Sequence, residues 1–306
     1  MSSLLQTPPQ QATDALALQI EDLHVEIRRS GRITPLLRGV SLRVQPGRIH
    51  ALVGESGGGK SMVTKAATGL LPSAAVISRG RIVLDGQDVT RWSESQWRGV
   101  RGKSVSMVLQ DPLTALNPVR RIGAQIADVL TPKQGLRGQA LQHASMQLLE
   151  QVQVRDPQAV LRQYPHQLSG GMRQRVVIAM AWACRPRLII CDEPTTALDV
   201  TVQKQVLRLI RQLESEGQGI LLVTHDLGVV AKLCDSMSVI HSGRILEAGT
   251  VADVFARPQH AYTQALMAAT PRFDRPGHTL RPVDDDLIAH LTEEAHRYDQ
   301  QQGALA

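Results

Sequence analysis

The apolar run Ile49–Val53 leads into Gly54-Glu55-Ser56-Gly57-Gly58-Gly59-Lys60-Ser61, and an alanine- and leucine-containing helical segment follows. A short, mostly apolar run bounded by glycines reads as a central strand covered on both faces, which places the chain in the α/β class. The eight residues after it fit G-x-x-x-x-G-K-[ST]. In that pattern glycines let the backbone wrap phosphate oxygens, the lysine (Lys60) reaches the outer phosphates, and the hydroxyl (Ser61) can ligate Mg²⁺. With glycine at about 7% of residues, a chance match in a chain of this size is on the order of one in a hundred. A plain Gly-rich turn would explain neither Lys60-Ser61 nor the strand before them.

A second stretch, from Leu168 to Val200, carries two chemistries. At its front, Leu168-Ser169-Gly170-Gly171 sets a hydroxyl and two glycines at the start of a long helix, where free backbone N–H groups and the helix dipole favour an anion. At its back, the apolar strand Leu188 to Cys191 delivers two adjacent carboxylates, Asp192 and Glu193. A phosphate cradle together with an acid pair points to a nucleoside triphosphatase.

LSGG followed by an apolar run ending in Asp-Glu resembles the ATP-binding cassette (ABC) ATPases. MVLQDPLTALNP, YPHQLSGGMRQRV and ARPQHAYTQALMAATP resemble the peptide and nickel importer branch of that family, with Ala261 where its usual His-Pro-Tyr-Thr has proline. The resemblance spans roughly residues 20–272. It implies a P-loop NTPase of the ABC type: an α/β nucleotide-binding domain with an antiparallel β subdomain and an inserted α-helical subdomain. The expected division is a flexible tail over 1–17, the ATPase domain over 18–250 with helices inserted at about 91–170, and a C-terminal extension over 251–306 without a cysteine cluster.

The local patterns agree. Ile20 to Ile27 and Val40 to Val44 read as strands with Gly31 at the turn between them; Asp85-Gly86 and Ser242-Gly243 mark hairpins. Ser93 with Gln96 resembles a capping box, and Asp156-Pro157 stand as N-cap and first residue of a helix. Leu141, Leu148, Leu149 and Val152 line one helical face, and strands are expected at Val105 to Leu109 and Ile220 to Thr224.

The resemblance assigns roles residue by residue. ATP is held by Gly54, Glu55, Ser56, Gly57, Gly58, Gly59, Lys60 and Ser61; Mg²⁺ is approached by Ser61 and Gln110, and by Asp192 through a water. Glu193 polarises the attacking water, and His225, which alone would read as a structural histidine after a strand, occupies the family's switch position. Ser169, Gly170 and Gly171 act in trans on the nucleotide of a second subunit, with Asp199 in the loop that crosses the dimer interface. Relatives stack adenine on an aromatic aligned near Ile27, yet this chain has no Phe, Tyr or Trp before Trp92. The substitutes on offer are packing by Ile27, or stacking by His24 or by Arg28, Arg29 or Arg32.

Composition narrows the class. The chain of 306 residues is 42% hydrophobic, enough for one large domain or two modest ones. Its longest apolar run, Val176 to Cys184, is far below the roughly 18 residues of a membrane span, and no secretory leader pattern opens it. Cys184, Cys191 and Cys234 are too widely spaced for a disulfide framework or a zinc cluster, and His260 with His278 read as solvated loop histidines. The net charge of +6 is scattered, so no direct nucleic-acid binding is expected. The resemblance implies a peripheral ATPase on the cytoplasmic face of the inner membrane. Its expected partners are a second ABC ATPase (itself or a paralogue), two permease subunits and an extracytoplasmic substrate-binding protein. The competing reading is a soluble ABC ATPase acting on DNA or ribosomes.

Overall fold

The computed structural model describes residues 15–29, 32–196, 198–270 and 283–303. In chain order its elements begin β1 (Leu18–Arg29), β2 (Arg32–Val44), β3 (Ile49–Val53), α1 (Lys60–Thr68), β4 (Ala75–Leu84), β5 (Gln87–Asp88), α2 (Glu94–Val100) and β6 (Val105–Val108). A helical block follows: α3 (Pro112–Ala115), α4 (Ile122–Gln134), α5 (Gly138–Gln151), α6 (Pro157–Arg162) and α7 (Gly170–Trp182). Then come β7 (Leu188–Asp192), α8 (Val200–Ser215), β8 (Gly219–Thr224), α9 (Leu227–Leu233), β9 (Ser236–His241) and β10 (Arg244–Thr250). The chain closes with α10 (Val251–Ala256), α11 (Ala261–Ala269) and α12 (Asp285–Gly303).

Two sheets form, one antiparallel in the order β2-β1-β4-β5 and one of six strands in the order β10-β9-β3-β8-β7-β6. In the larger sheet β9, β3, β8, β7 and β6 run parallel, and β10 is antiparallel to β9. Side chains alternate across its plane as the pleat requires. Leu188 and Ile190, with Leu221 and Val223, join the core shared with the antiparallel sheet and α1. Ile189 and Cys191, with Ile220 and Leu222, turn to the core built on α4 to α8. Ala51 and Val53 enter a third core with Met237, Val239 and the C-terminal helices. Both faces of β3, β7 and β8 are therefore covered, which is why their sequences are mostly apolar.

Capping fixes where the helices begin. The Ser93–Gln96 capping box forms, and Asp156 accepts from Ala159 N with Pro157 in the first turn. The hairpin between β9 and β10 turns on Ser242 and Gly243, both with positive φ (46° and 73°).

Three boundaries differ from the sequence reading. The helical insertion begins at Pro112 and not near residue 91, because β6 pairs in parallel register with β7 (Val105↔Leu188 to Val108↔Cys191) and so belongs to the main sheet. At the N-terminus, Ala17 is buried and its N–H donates to Val44 O at 2.9 Å, so the packed structure already includes part of the expected tail. Residues 1–14, Gly31 and His278 lie outside the described residues. The described residues after 250 do not form a separate extension: Tyr262 and Leu291 share a core with β3 and β9. Helix α12 is also tied down, since Asp299 accepts two hydrogen bonds from Arg38 at 2.7 and 2.8 Å.

The strand that carries the glycine loop contains a titrating group. His50 of β3 lies between Ser236 Oγ (2.8 Å) and Ser238 Oγ (3.0 Å) of β9, and burial lowers its pKa from 6.5 to about 4. It stays neutral in the folded chain where the unfolded chain would be protonated. Stability should fall as pH drops from about 6.5 to about 4, by up to about 3 kcal/mol at the lower end. Urea unfolding across that window should show this slope in the native chain, and His50→Gln should flatten it.

Candidate active site

The parallel strands β3, β8, β7 and β6 are consecutive neighbours, and each releases one candidate group at its carboxyl end. The registers Val53↔Thr224, Asp192↔Val223 and Val108↔Cys191 bring these ends to a common level. The loop at Gly54, His225, the pair Asp192-Glu193 and Gln110 follow these strands respectively, on the edge where open α/β sheets bind ligands.

The glycine loop is shaped by close approach. A Cβ on Gly54 would lie 2.2 Å from Ile240 O, so no side chain fits there. Gly58 O accepts from Gly243 N (2.9 Å) and Gly58 N donates to Glu55 O (3.2 Å), which closes the loop on itself. Lys60 turns back into it, donating from Nζ to Gly54 O (2.7 Å) and Glu55 O (2.9 Å). Among the described residues no side chain caps α1, so its leading N–H groups face the loop mouth with Ser61 exposed beside them. Burial pulls the Lys60 ammonium below its usual pKa, opposed by the negative charges of Glu193, Asp192 and Glu55. Asp192 is displaced the other way: burial first and then Glu193 push it up, while Lys60 and Lys65 hold it down.

Glu193 has φ of 47°, a left-handed conformation costly for a residue with a side chain, roughly 1–2 kcal/mol. The main chain holds it there through Glu193 N donating to Val223 O at 2.9 Å. The turn aims the carboxylate at three partners. Oε1 lies 3.2 Å from His225 Nδ1; Oε2 accepts from Gln110 Nε2 at 3.2 Å and from Thr196 Oγ1 at 3.0 Å. Gln110, Glu193 and His225, from three different strands, therefore meet at one carboxylate.

Ser169, Gly170, Gly171 and Asp199 form a separate group. Ser169 caps its own helix, accepting from Met172 N at 3.3 Å, and Asp199 caps α8, accepting from Val202 N at 2.9 Å. Gly171 is where α7 and α8 touch: a Cβ there would come within 2.7 Å of Val202 Cγ1. Gly170 has open space around it.

Of the candidates for contact with the base, His24 is already engaged, its Nε2 3.2 Å from Asp22 Oδ1 and its ring stacked at 6.3 Å on Tyr298 of α12. Arg28 pairs with Glu26. Ile27 is half-buried opposite Thr34, and Arg29 and Arg32 are exposed at the hairpin ends. His260 is not a free loop histidine: its Nδ1 accepts from Tyr262 N at 3.1 Å and caps α11, while its own N–H donates to Glu247. Ala261 stands at the first helical position, which proline also suits, so this departure from the family pattern leaves the cap intact.

Two residues at the site carry no clear sequence signal. Thr196 reads in the sequence only as part of a loop; its spacing of three from Glu193 is compatible with a turn contact but does not demand one. Tyr262, buried and 207 positions from Glu55, accepts a hydrogen bond from Glu55 N at 3.2 Å, a contact no local pattern announces.

Residues 37–196 match the family described as ABC transporter, and residues 246–295 match the one described as oligopeptide/dipeptide transporter, C-terminal region. The dipeptide transport ATP-binding protein DppD of Bacillus subtilis is 44% identical over 269 residues, spanning 87% of this chain and 80% of that protein. The oligopeptide transport ATP-binding protein OppD of the same organism is 42% identical over 262 residues, spanning 85% and 73%. Among solved structures, a dimeric ATP-binding cassette in a post-hydrolysis state bound to ADP and Pi superposes with a TM-score of 0.68 at 23% identity, over 76% of this chain and 98% of that one, a likeness of fold. The subunit cbiO1 of Clostridium perfringens, part of an ABC transporter complex, gives 0.68 at 25% identity over 86% and 98%.

Thr196→Val removes one of the two donors on Glu193 Oε2 while keeping the side-chain volume. A hydrogen bond to a carboxylate of this exposure is worth about 1.5 kcal/mol, so nucleotide turnover at saturation should fall roughly tenfold with nucleotide affinity unchanged. Steady-state phosphate release checks this.

Proposed function

This chain belongs to the ABC transporter family of ATP-binding subunits, and on that premise we propose that it hydrolyses ATP to drive uptake of di- or oligopeptides through a membrane permease. The observation that carries the proposal is the convergence of Gln110, Thr196 and His225 on the Glu193 carboxylate, at the same sheet edge as Lys60. The match of residues 246–295 and the relatives named as dipeptide and oligopeptide transport proteins support a peptide. They favour the importer over a soluble ATPase acting on DNA or ribosomes, and give no specific support to nickel.

The loop N–H groups and Lys60 bind the phosphates. The oxygen donors fit a hard cation: the Ser61 hydroxyl, the Gln110 amide oxygen, and the Asp192 carboxylate acting through a water are the ligand set expected of Mg²⁺. When bound, Mg²⁺ neutralises phosphate charge. Glu193 accepts a proton from the water whose oxygen attacks the γ-phosphorus, the bond to the β–γ bridging oxygen breaks, and ADP and phosphate leave. His225, 60% exposed, donates to the γ-phosphate from the solvent side and holds Glu193 in place. β1 and β2 carry no Phe, Tyr or Trp, and the His24 ring is already stacked on Tyr298, so weak discrimination between ATP and GTP is expected, with Ile27, Arg29 and Arg32 left to contact the base.

Ser169 caps α7 and Gly170 and Gly171 open it, and the three serve the nucleotide of a second subunit, self or paralogue. Asp199 lies on the same interface, beside Val200, which is 65% exposed at the start of α8. ATP then joins the two subunits, and hydrolysis releases them.

An apolar cleft of about 260 Å³ between β6 and the helical block, lined by Leu70, Met107, Ala115, Val129 and Met180, receives a helix of the permease. Leu113 and Val119, exposed just after Gln110, extend that surface. Among the described residues no helix is long and apolar enough to cross a membrane. This contact attaches the subunit to the permease on the cytoplasmic face. A substrate-binding protein outside the membrane completes the importer.

Glu193→Gln keeps the shape and removes the base. It should bind ATP, accumulate as a nucleotide-bound dimer on size exclusion, and lose turnover by at least about a hundredfold. Hydrolysis at the native rate would sink the assignment.

A further inference from the structure

We propose that Tyr262, in the C-terminal segment, is a positioning residue for Lys60, acting across a single peptide plane of the glycine loop. The proposal rests on the reading of Lys60 as the phosphate-binding cation and goes beyond it by giving the C-terminal segment a part in nucleotide binding.

The geometry is direct. Tyr262 is fully buried, and its Oη accepts from Glu55 N at 3.2 Å. That N–H belongs to the same peptide unit as the Gly54 carbonyl, whose oxygen accepts from Lys60 Nζ at 2.7 Å. A trans peptide is planar, with its N–H and C=O pointing in opposite directions, so fixing one end fixes the other. The hydroxyl, the peptide and the ammonium form one line of hydrogen bonds, and each bond polarises the next. If the Gly54–Glu55 plane turned, Lys60 would lose its shortest anchor.

The tyrosine is itself held from several sides. Its ring packs 4.8 Å from His241, the last residue of β9, and lies in the core that contains Ala51 and Val53 of the strand feeding the loop. Its backbone N–H is taken by His260 Nδ1, and Glu247 of β10 accepts from the N–H groups of Gln259 and His260. The start of α11 is thus clamped to the main sheet, and the one polar atom that its buried ring carries inward meets the loop. Burial raises the hydroxyl's pKa to about 12, so it remains a neutral hydroxyl at any pH the protein meets.

The test is a double-mutant cycle on the full chain, read as equilibrium binding of Mg-ATP titrated into the millimolar range. Tyr262→Phe keeps the ring and removes only Oη; it should weaken ATP binding by about 3- to 10-fold with an unchanged circular dichroism spectrum. Lys60→Ala should weaken binding by more than about tenfold. In the Lys60→Ala background, adding Tyr262→Phe should cost almost nothing further, because its effect passes through Lys60. If Lys60→Ala leaves affinity intact, the reading of Lys60 falls. If Lys60→Ala weakens binding while Tyr262→Phe does nothing, or if the two losses simply multiply, the inference about Tyr262 falls alone. Should Tyr262→Phe not fold, hydrogen exchange in the unaltered chain decides: Mg-ATP should slow exchange at Glu55 and the first turn of α11 by at least about threefold, and unchanged exchange at both overturns the proposal.

Discussion

The arrangement of this protein depends on a charge problem at the carboxyl edge of a dry sheet. Strands β3, β8 and β7 are buried and mostly apolar, and beyond their ends, at one level, stand an ammonium, Lys60, and two carboxylates, Asp192 and Glu193. Burial works against the charged forms of Lys60 and Asp192, while opposite charge preserves them: the carboxylates raise Lys60 and Lys60 lowers Asp192. Glu193 in turn raises Asp192, and Lys65 joins Lys60 in lowering it. Strand order places these opposed charges side by side, on the edge where open α/β sheets bind ligands.

Directional hydrogen bonds then turn a charge cluster into a site. The left-handed backbone at Glu193 is strained, and the neighbouring strand holds it through Val223 O. What that strain achieves is orientation, since from this conformation the carboxylate reaches Gln110, Thr196 and His225 together. Strain of this kind persists only where the surroundings over-determine it. Helix α7 makes the opposite use of its start: Ser169 caps its own helix, and Gly171 lets α7 lie against α8 at Val202. The Leu168–Val200 stretch thus separates into a caps-and-packing end and a carboxylate end, joined by one helix and one strand.

The C-terminal segment changes status between the two views. On sequence it is an extension after a complete domain; in the fold it is one wall of the core behind β3 and β9, with Tyr262 against the glycine loop and α12 reaching back to Arg38. Each position of His260-Ala261-Tyr262 has a physical explanation, the first as a helix cap, the second as the opening helical residue and the third as the carrier of a buried hydroxyl. Helices α11 and α12 are held by burial and by hydrogen bonds that reach back to β10, the glycine loop and β2.

The sequence by itself determined the α/β class, the glycine loop, the acid pair, the caps and the hairpins, because each is written within a few residues through strand periodicity, turn chemistry or helix-end chemistry. Gln110 and His225 were legible only through the family resemblance, since alone each reads as an ordinary polar residue after a strand. Four things were settled only by the tertiary structure. Residues 105–108 belong to the main sheet because β6 finds its partner in β7, some eighty residues on. Thr196 meets Glu193 because of a backbone angle that composition does not announce. Tyr262 meets Glu55 because α11 is folded under the loop, and Tyr298 stacks on His24 because α12 returns to β1, although no aromatic precedes Trp92 in the chain. Local patterns report what the backbone can do within a turn or two; contacts between distant side chains depend on how whole elements pack, and no short-range periodicity records that.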